Sequence, residues 1–167
     1  VIFCTQSPDH IMPPNSYLLQ KRLGFSENII AYDFNLACSG YIYSLSMAHS
    51  LIYSGLATTV LLINADTYSK YISPKDRSTR VLFGDGAAAT IVEKKNDGRG
   101  MIDVHFMSDG ASYDCFYIPA GGCRIPLSTI TNNEEKDSNG NIRTQNDIYM
   151  DGLSVWAAIN SKVPRQI

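Results

Sequence analysis

Cysteine is scarce in this sequence and never closely paired: Cys4, Cys38, Cys115 and Cys123 are its four, and none makes the Cys-x-x-Cys spacing of zinc or dithiol redox sites. They read as free thiols in a reducing cytoplasm, with no metal site. Long apolar runs are missing, since none approaches the ~18 residues of a membrane span, and there is no basic-then-apolar leader. Basic charge is not in surplus either: 14 Lys and Arg stand against 16 Asp and Glu, a formal net charge of -2. That argues against a general nucleic-acid binder, whose grip on phosphate backbones needs a cationic excess. Any anionic ligand must be met by a local basic cluster. An initiator Met and a polar leader are lacking too, because the chain opens directly on the strand-like run Val1-Ile2-Phe3-Cys4-Thr5. It stops in what reads as a helix beginning, Trp156 to Ile167, so it is expected to be an excerpt.

With 167 residues and 44% of them hydrophobic, the chain is long enough to bury a core without disulfides or metal. After the opening strand, Pro13 and Pro14 with an Asn15 or Ser16 cap predict a short helix through Arg22 that Gly24 ends. Ile29 to Phe34 is short enough for a buried strand. From Ser39 to Ser54, Ile42, Leu45, Met47, Ala48, Leu51 and Ile52 recur at helical spacing on a wide face, predicting a mostly buried helix that Gly55 stops. Val60 to Ile63 follows as another strand, so the first half reads as a parallel sheet with helical crossovers. Ala87–Glu93 and Met101–Met107, separated by the Asn96-Asp97-Gly98 turn, predict two more strands that pair antiparallel. Thr129 to Asp147 is polar with little to bury and reads as a mobile surface excursion. No internal repeat is present.

Cys38 stands at the junction of the second strand and the following helix, in Asp33-Phe34-Asn35-Leu36-Ala37-Cys38-Ser39-Gly40. Free backbone N–H groups and the dipole at a helix N-terminus favour thiolate over thiol, and the same N–H groups suit an oxyanion. Ala37, Ser39 and Gly40 leave room for a substrate carbonyl. Position alone fits equally well a small buried residue that merely fills the junction.

Three segments in order, Asp33 to Gly40, Asp76-Arg77-Ser78-Thr79 and Phe83-Gly84-Asp85-Gly86-Ala87, resemble the β-ketoacyl-acyl-carrier-protein synthase III family of the thiolase superfamily. His10 to Pro13, Ser108-Asp109-Gly110, Pro119 to Gly122 and Met150-Asp151-Gly152 fall where that family has similar segments. The resemblance implies an α/β, thiolase-like fold with a mixed five-stranded sheet covered by helices, present as about one half of a full synthase. It divides the chain into an N-terminal subdomain (1–128), the polar excursion (129–147) and the start of a connection to an absent C-terminal half (148–167).

By the same resemblance the activity is that of an acyltransferase. An acyl group passes from coenzyme A to the cysteine and is then condensed with malonyl-acyl carrier protein, losing carbon dioxide. Cys38 is the implied nucleophile, a covalent carrier with ping-pong kinetics. Arg77 matches the arginine that packs on the coenzyme A adenine, a role suited to a planar guanidinium. Lys75 and Arg80 either add charge there or belong to a solvated loop. Met12 matches the side chain that a partner subunit inserts into the acyl pocket, and Leu82, Phe83 and Gly152 align near the acyl tunnel or serve as ordinary core and turn residues. A homodimer in the cytoplasm and no permanently bound cofactor are implied. The family also uses a His and an Asn in decarboxylation; His10, His49 and His105 match neither, which leads us to expect a chain that is inactive in condensation when alone, with self-acylation left open. A different class stays open: a non-catalytic thiolase-like scaffold or dimerisation subdomain.

Overall fold

Strand β1 (Ile2–Cys4) is buried at every residue, and it is central: it pairs in parallel with β2 (Tyr32–Phe34) on one side and with β3 (Thr59–Thr67) on the other. A strand paired on both edges and covered on both faces has no solvent side, which is why its sequence is apolar without alternation. The computed structural model describes residues 1–165. These divide into two compact units, the first made of Val1–Thr67 with Asp85–Val104, the second of Tyr68–Gly84 with the chain from His105 onward.

In the first unit α1 (Asn15–Leu23) connects β1 to β2, and α2 (Gly40–Tyr53) connects β2 to β3. The expected cap of α1 is corrected. Pro14 occupies the cap position without a side-chain bond, and Asn15 and Ser16 are already helical. The free N–H groups of Asn15 and Ser16 donate instead to the Asp33 carboxylate, at 2.5 and 2.9 Å, so β2 supplies the negative charge that a helix start favours. Gly24 ends the helix with φ 66°, the left-handed conformation that lets the Phe25 N–H reach back to the Gln20 carbonyl.

Helix α2 buries only Gly40, Ser44 and Ala48, a stripe of small residues one turn apart. These let the helix lie close on Ile2, Val60 and Leu62, which with Ala48 form the buried core. The expectation of a mostly buried helix is therefore too broad: Tyr41, Ile42, His49 and Tyr53 are exposed.

The mixed sheet is present with four strands, in the order β2-β1-β3-β4. Strand β4 (Asp85–Glu93) runs antiparallel to β3 along nine residue pairs, from Thr59↔Glu93 to Thr67↔Asp85. This replaces the expected pairing with 101–107, and the fifth strand expected there does not form. The Asn96-Asp97-Gly98 turn exists, with Gly98 at φ 77° and the Arg99 N–H on Asp97. Past it, however, Ile102 is fully exposed, and without burial nothing offsets the entropy of ordering a strand.

The second unit contains α3 (Arg77–Arg80), β5 (Phe116–Tyr117), β6 (Glu135–Lys136), β7 (Ile142–Arg143), β8 (Tyr149–Met150) and α4 (Gly152–Lys162). Strands β5 and β8 pair antiparallel, as do β6 and β7. Phe83 lies between Tyr68 and Phe116, at ring-centroid distances of 5.6 and 5.4 Å. The polar segment 129–147 has more to bury than its composition suggests: Thr131 and Asn141 are buried. Its backbone is tied by the Ile142 N–H to the Lys75 carbonyl, and the Ser73 hydroxyl donates to the Ile142 carbonyl at 2.7 Å. Of the expected terminal helix, α4 covers the first part, and Gln166 and Ile167 lie outside the described residues.

Candidate active site

Cys38 lies in the turn between β2 and α2, one residue before the cap Ser39 and two before the first helical residue, Gly40. It is exposed, whereas Cys4 on β1 is buried. The small buried residue that fills this strand–helix junction is therefore Cys4. Its S–H donates to the Leu36 carbonyl at 3.0 Å, inside the very turn that carries Cys38. Burial pushes the Cys4 thiol up, with Asp66's charge adding to it and the bonds to Leu36 and Asn64 working against it. Such a thiol is inert.

The turn is tight because the Gly40 N–H returns to the Ala37 carbonyl at 2.8 Å, which takes one of the N–H groups expected to serve an oxyanion. Gly40 has no room for a side chain: a Cβ there would overlap the Cys4 sulfur and meet Leu36 Cβ at 3.4 Å and Asn64 Nδ2 at 3.7 Å. Below the turn, Asp66 Oδ1 accepts the Thr5 hydroxyl (3.1 Å), the Gln6 N–H (2.7 Å) and the Ser7 hydroxyl (3.0 Å), fixing the exit of β1 to the end of β3. The Gln6 side chain in turn donates to Asn35 Oδ1 at 3.0 Å. Met12, also in this unit, is 80% exposed on the loop before α1. His49 is exposed and stacks on Tyr53.

Arg77, Phe83 and Gly152 belong to the second unit. Arg77 is the first residue of α3, and its side chain is exposed. Asp76 caps that helix, accepting the Ser78 N–H and hydroxyl at 2.8 and 2.5 Å. Although burial pushes its carboxyl up, these bonds and the Arg143 guanidinium outweigh it and hold Asp76 below the ordinary carboxylate range. Lys75 pairs with Glu134, and Arg80 donates to the Pro74 carbonyl at 2.7 Å. Phe83 is half-buried in its aromatic row, Leu82 is exposed, and Gly152 opens α4 behind the cap Asp151. Sequence reasoning missed Cys4, Asn141 and Arg143. None of the three carries a local signal, whereas their partner Asp76 does, as an acidic residue two before a Ser at a helix start.

Residues 32–110 match the family model described as 3-oxoacyl-[acyl-carrier-protein (ACP)] synthase III. Over 156 residues the chain is 40% identical to the putative 3-oxoacyl-[acyl-carrier-protein] synthase 3 of Campylobacter jejuni, an overlap of 93% of this chain and 43% of that protein. The β-ketoacyl-[acyl-carrier-protein] synthase III of Chlamydia caviae is 41% identical over 157 residues, again covering 93% of this chain and 44% of the relative. A crystal structure of a 3-oxoacyl-(acyl-carrier-protein) synthase III superposes with a TM-score of 0.92 at 43% identity, over 99% of this chain and 49% of that one. The chain is similar to 3-oxoacyl-[acyl-carrier-protein] synthase III proteins over 93% or more of its own length. It spans under half the length of the curated relatives it matches. Within the synthase III match lie Cys38, Arg77 and Phe83, while Met12 and Gly152 fall outside it. Among the described residues no His, Cys, Asp and Glu cluster is arranged to hold a metal ion, and no helix is long and apolar enough to cross a membrane.

Proposed function

We propose that this chain carries the acyl-accepting cysteine of a 3-oxoacyl-[acyl-carrier-protein] synthase III working in fatty-acid or related acyl-chain biosynthesis. The observation that carries the reading is Cys38, exposed on the turn before α2 and inside the family-matched span. The Cys38 thiolate attacks the thioester carbonyl of an acyl-coenzyme A, and coenzyme A leaves as the thiol after taking up a proton. The acyl-cysteine then accepts the carbanion released when malonyl-acyl carrier protein loses carbon dioxide. That step forms the carbon–carbon bond of a β-ketoacyl thioester and frees the Cys38 thiolate. Splitting one hard step into two through a covalent thioester is the gain such a nucleophile provides.

Arg77 is assigned to the adenine and phosphates of coenzyme A, consistent with an exposed guanidinium on a capped turn. Met12, Phe83 and Gly152 are assigned to the acyl pocket, Met12 from a partner subunit. A cytoplasmic homodimer goes with this reading and is carried by the family resemblance. The decarboxylating His and Asn are assigned to none of the described residues, so the 167-residue chain alone is expected to accept an acyl group without completing the condensation.

The test is an intact-mass measurement after incubation with acetyl-coenzyme A. One acetyl group is expected on Cys38, lost in Cys38→Ala, and Cys38 is expected to react with iodoacetamide faster than Cys4, Cys115 or Cys123. Equal, slow labelling of all four thiols with no acetyl adduct would overturn the reading in favour of a non-catalytic thiolase-like scaffold.

A further inference from the structure

The proposed reaction leaves the polar segment 129–147 without a task, yet its side chains converge on the turn that carries Arg77. Arg143, on β7, is only 14% exposed at its side chain, and its guanidinium spans two carboxylates: Nη1 donates to Asp76 Oδ2 and Nη2 to Asp137 Oδ2, each at 2.8 Å. Its carbon Cζ also stands 4.9 Å from the centre of the Tyr149 ring. The Asp76 side chain is fully buried. A charge removed from water in this way stays ionised only when it is paired and hydrogen-bonded, and Arg143 is its cationic partner.

The other end of the same hairpin reaches Arg77 itself. The Arg77 backbone N–H donates to Asn141 Oδ1 at 3.1 Å, and Asn141 is buried. Asn141 is oriented by Asp137, which accepts its backbone N–H at 2.9 Å and its side-chain amide at 3.1 Å. The hairpin thus holds Asp76 by its carboxylate and Arg77 by its backbone N–H, and Asp76 in turn accepts the Ser78 N–H, while the Arg77 side chain remains exposed. Its basic neighbours are otherwise engaged, Lys75 with Glu134 and Arg80 with a carbonyl.

We propose that Arg143, Asp137 and Asn141 are positioning residues for Arg77, a clamp from the polar hairpin that fixes the backbone from which its guanidinium reaches the nucleotide portion of an acyl-coenzyme A. The proposal rests on the assignment of Arg77 to coenzyme A made above. Fixing the backbone in advance removes the ordering cost that a free loop arginine meets at binding, so the clamp acts on thioesters that carry the nucleotide and not on those without it.

The test compares acetylation of Cys38 by acetyl-coenzyme A with acetylation by the acetyl thioester of N-acetylcysteamine, which has no nucleotide. In Arg143→Gln the first is expected to slow about tenfold, toward the rate of Arg77→Ala, and the second to stay within about twofold of wild type, with the Arg77→Ala/Arg143→Gln double variant no slower than Arg77→Ala. Backbone amide exchange at Arg77 and Ser78 is expected to quicken at least tenfold while that of α2 is unchanged. Asp137→Asn, which keeps the shape and removes the charge, is expected to move the same readouts in the same direction, and it replaces Arg143→Gln should that variant not fold. Equal slowing with both thioesters, or no slowing where Arg77→Ala is slow, would overturn the clamp and leave the assignment of Arg77 standing. Arg77→Ala with wild-type rates on both thioesters would instead overturn that assignment, and the clamp with it.

Discussion

Replacing Gly40 by Ala tests whether Cys4 and Gly40 set the turn that presents Cys38. The new methyl group would overlap the Cys4 sulfur, well inside the roughly 3.5–4 Å of ordinary contact. Neither side gives way easily. Cys4 is on a strand paired at both edges, and Gly40 begins a helix seated on the core through Ser44 and Ala48. Overpacking of this kind costs about 1–3 kcal/mol, here toward the top of the range, offset by roughly 1 kcal/mol from the better helix propensity of Ala. A net loss of about 2 kcal/mol is expected. Cys4→Ala alone removes one buried sulfur and should cost about 1 kcal/mol. In the Cys4→Ala/Gly40→Ala double variant the new methyl occupies the space the sulfur has left and the propensity gain remains, so the loss should be about 1 kcal/mol or less rather than the roughly 3 kcal/mol of two independent changes. Urea unfolding followed by far-ultraviolet circular dichroism measures all three. Cys38 alkylation should slow in Gly40→Ala and recover in the double variant. Additive losses, or a Gly40→Ala chain as stable as wild type, would refute the interlock.

Three further outcomes follow from the same contacts. Asp33 accepts two N–H groups at the start of α1, so Asp33→Ala should cost about 1–2 kcal/mol and Asp33→Asn less, read from urea midpoints. Bonds from Asn141, opposed in part by burial and joined by Arg143, lower the Asp137 carboxyl to about 2, against about 3.9 in the unfolded chain. Its contribution is then fully present above the unfolded value and disappears as pH falls through the folded one, so the stability gap between wild type and Asp137→Asn should be flat above roughly pH 5 and close by about pH 2 in urea titrations. Cys4, buried and bonded to Leu36, should resist iodoacetamide in the folded chain and react only after denaturation, as peptide mapping would record.

What the sequence makes legible here is what local chemistry decides. The order β1-α1-β2-α2-β3 follows from short continuous apolar runs, from Gly24 and Gly55, and from the helical recurrence before Gly55, each within one element. The pairing of β4 with β3 is different. A turn at Asn96-Asp97-Gly98 makes a hairpin the obvious reading, yet β4 gains nine paired residues on a strand already fixed by β1, while 101–107, with Ile102 fully exposed, buries too little to order as a strand. The site divides in the same way. The strand–helix junction at Cys38 is visible in its small neighbours. That Cys4 rather than Cys38 is the buried filler depends on a contact 32 residues apart, to Leu36.

Arg143 is the extreme case, because its bond to Asp76 spans 67 residues. A polar composition counts charged and amide groups but not their partners, and a solvated excursion and a hairpin folded around a buried ion pair look alike by that count. What separates them is Asp76. A fully buried carboxylate must have a cation, neither Arg77 nor Arg80 supplies it, and the nearest answer in space comes from a segment that composition had set aside as loop.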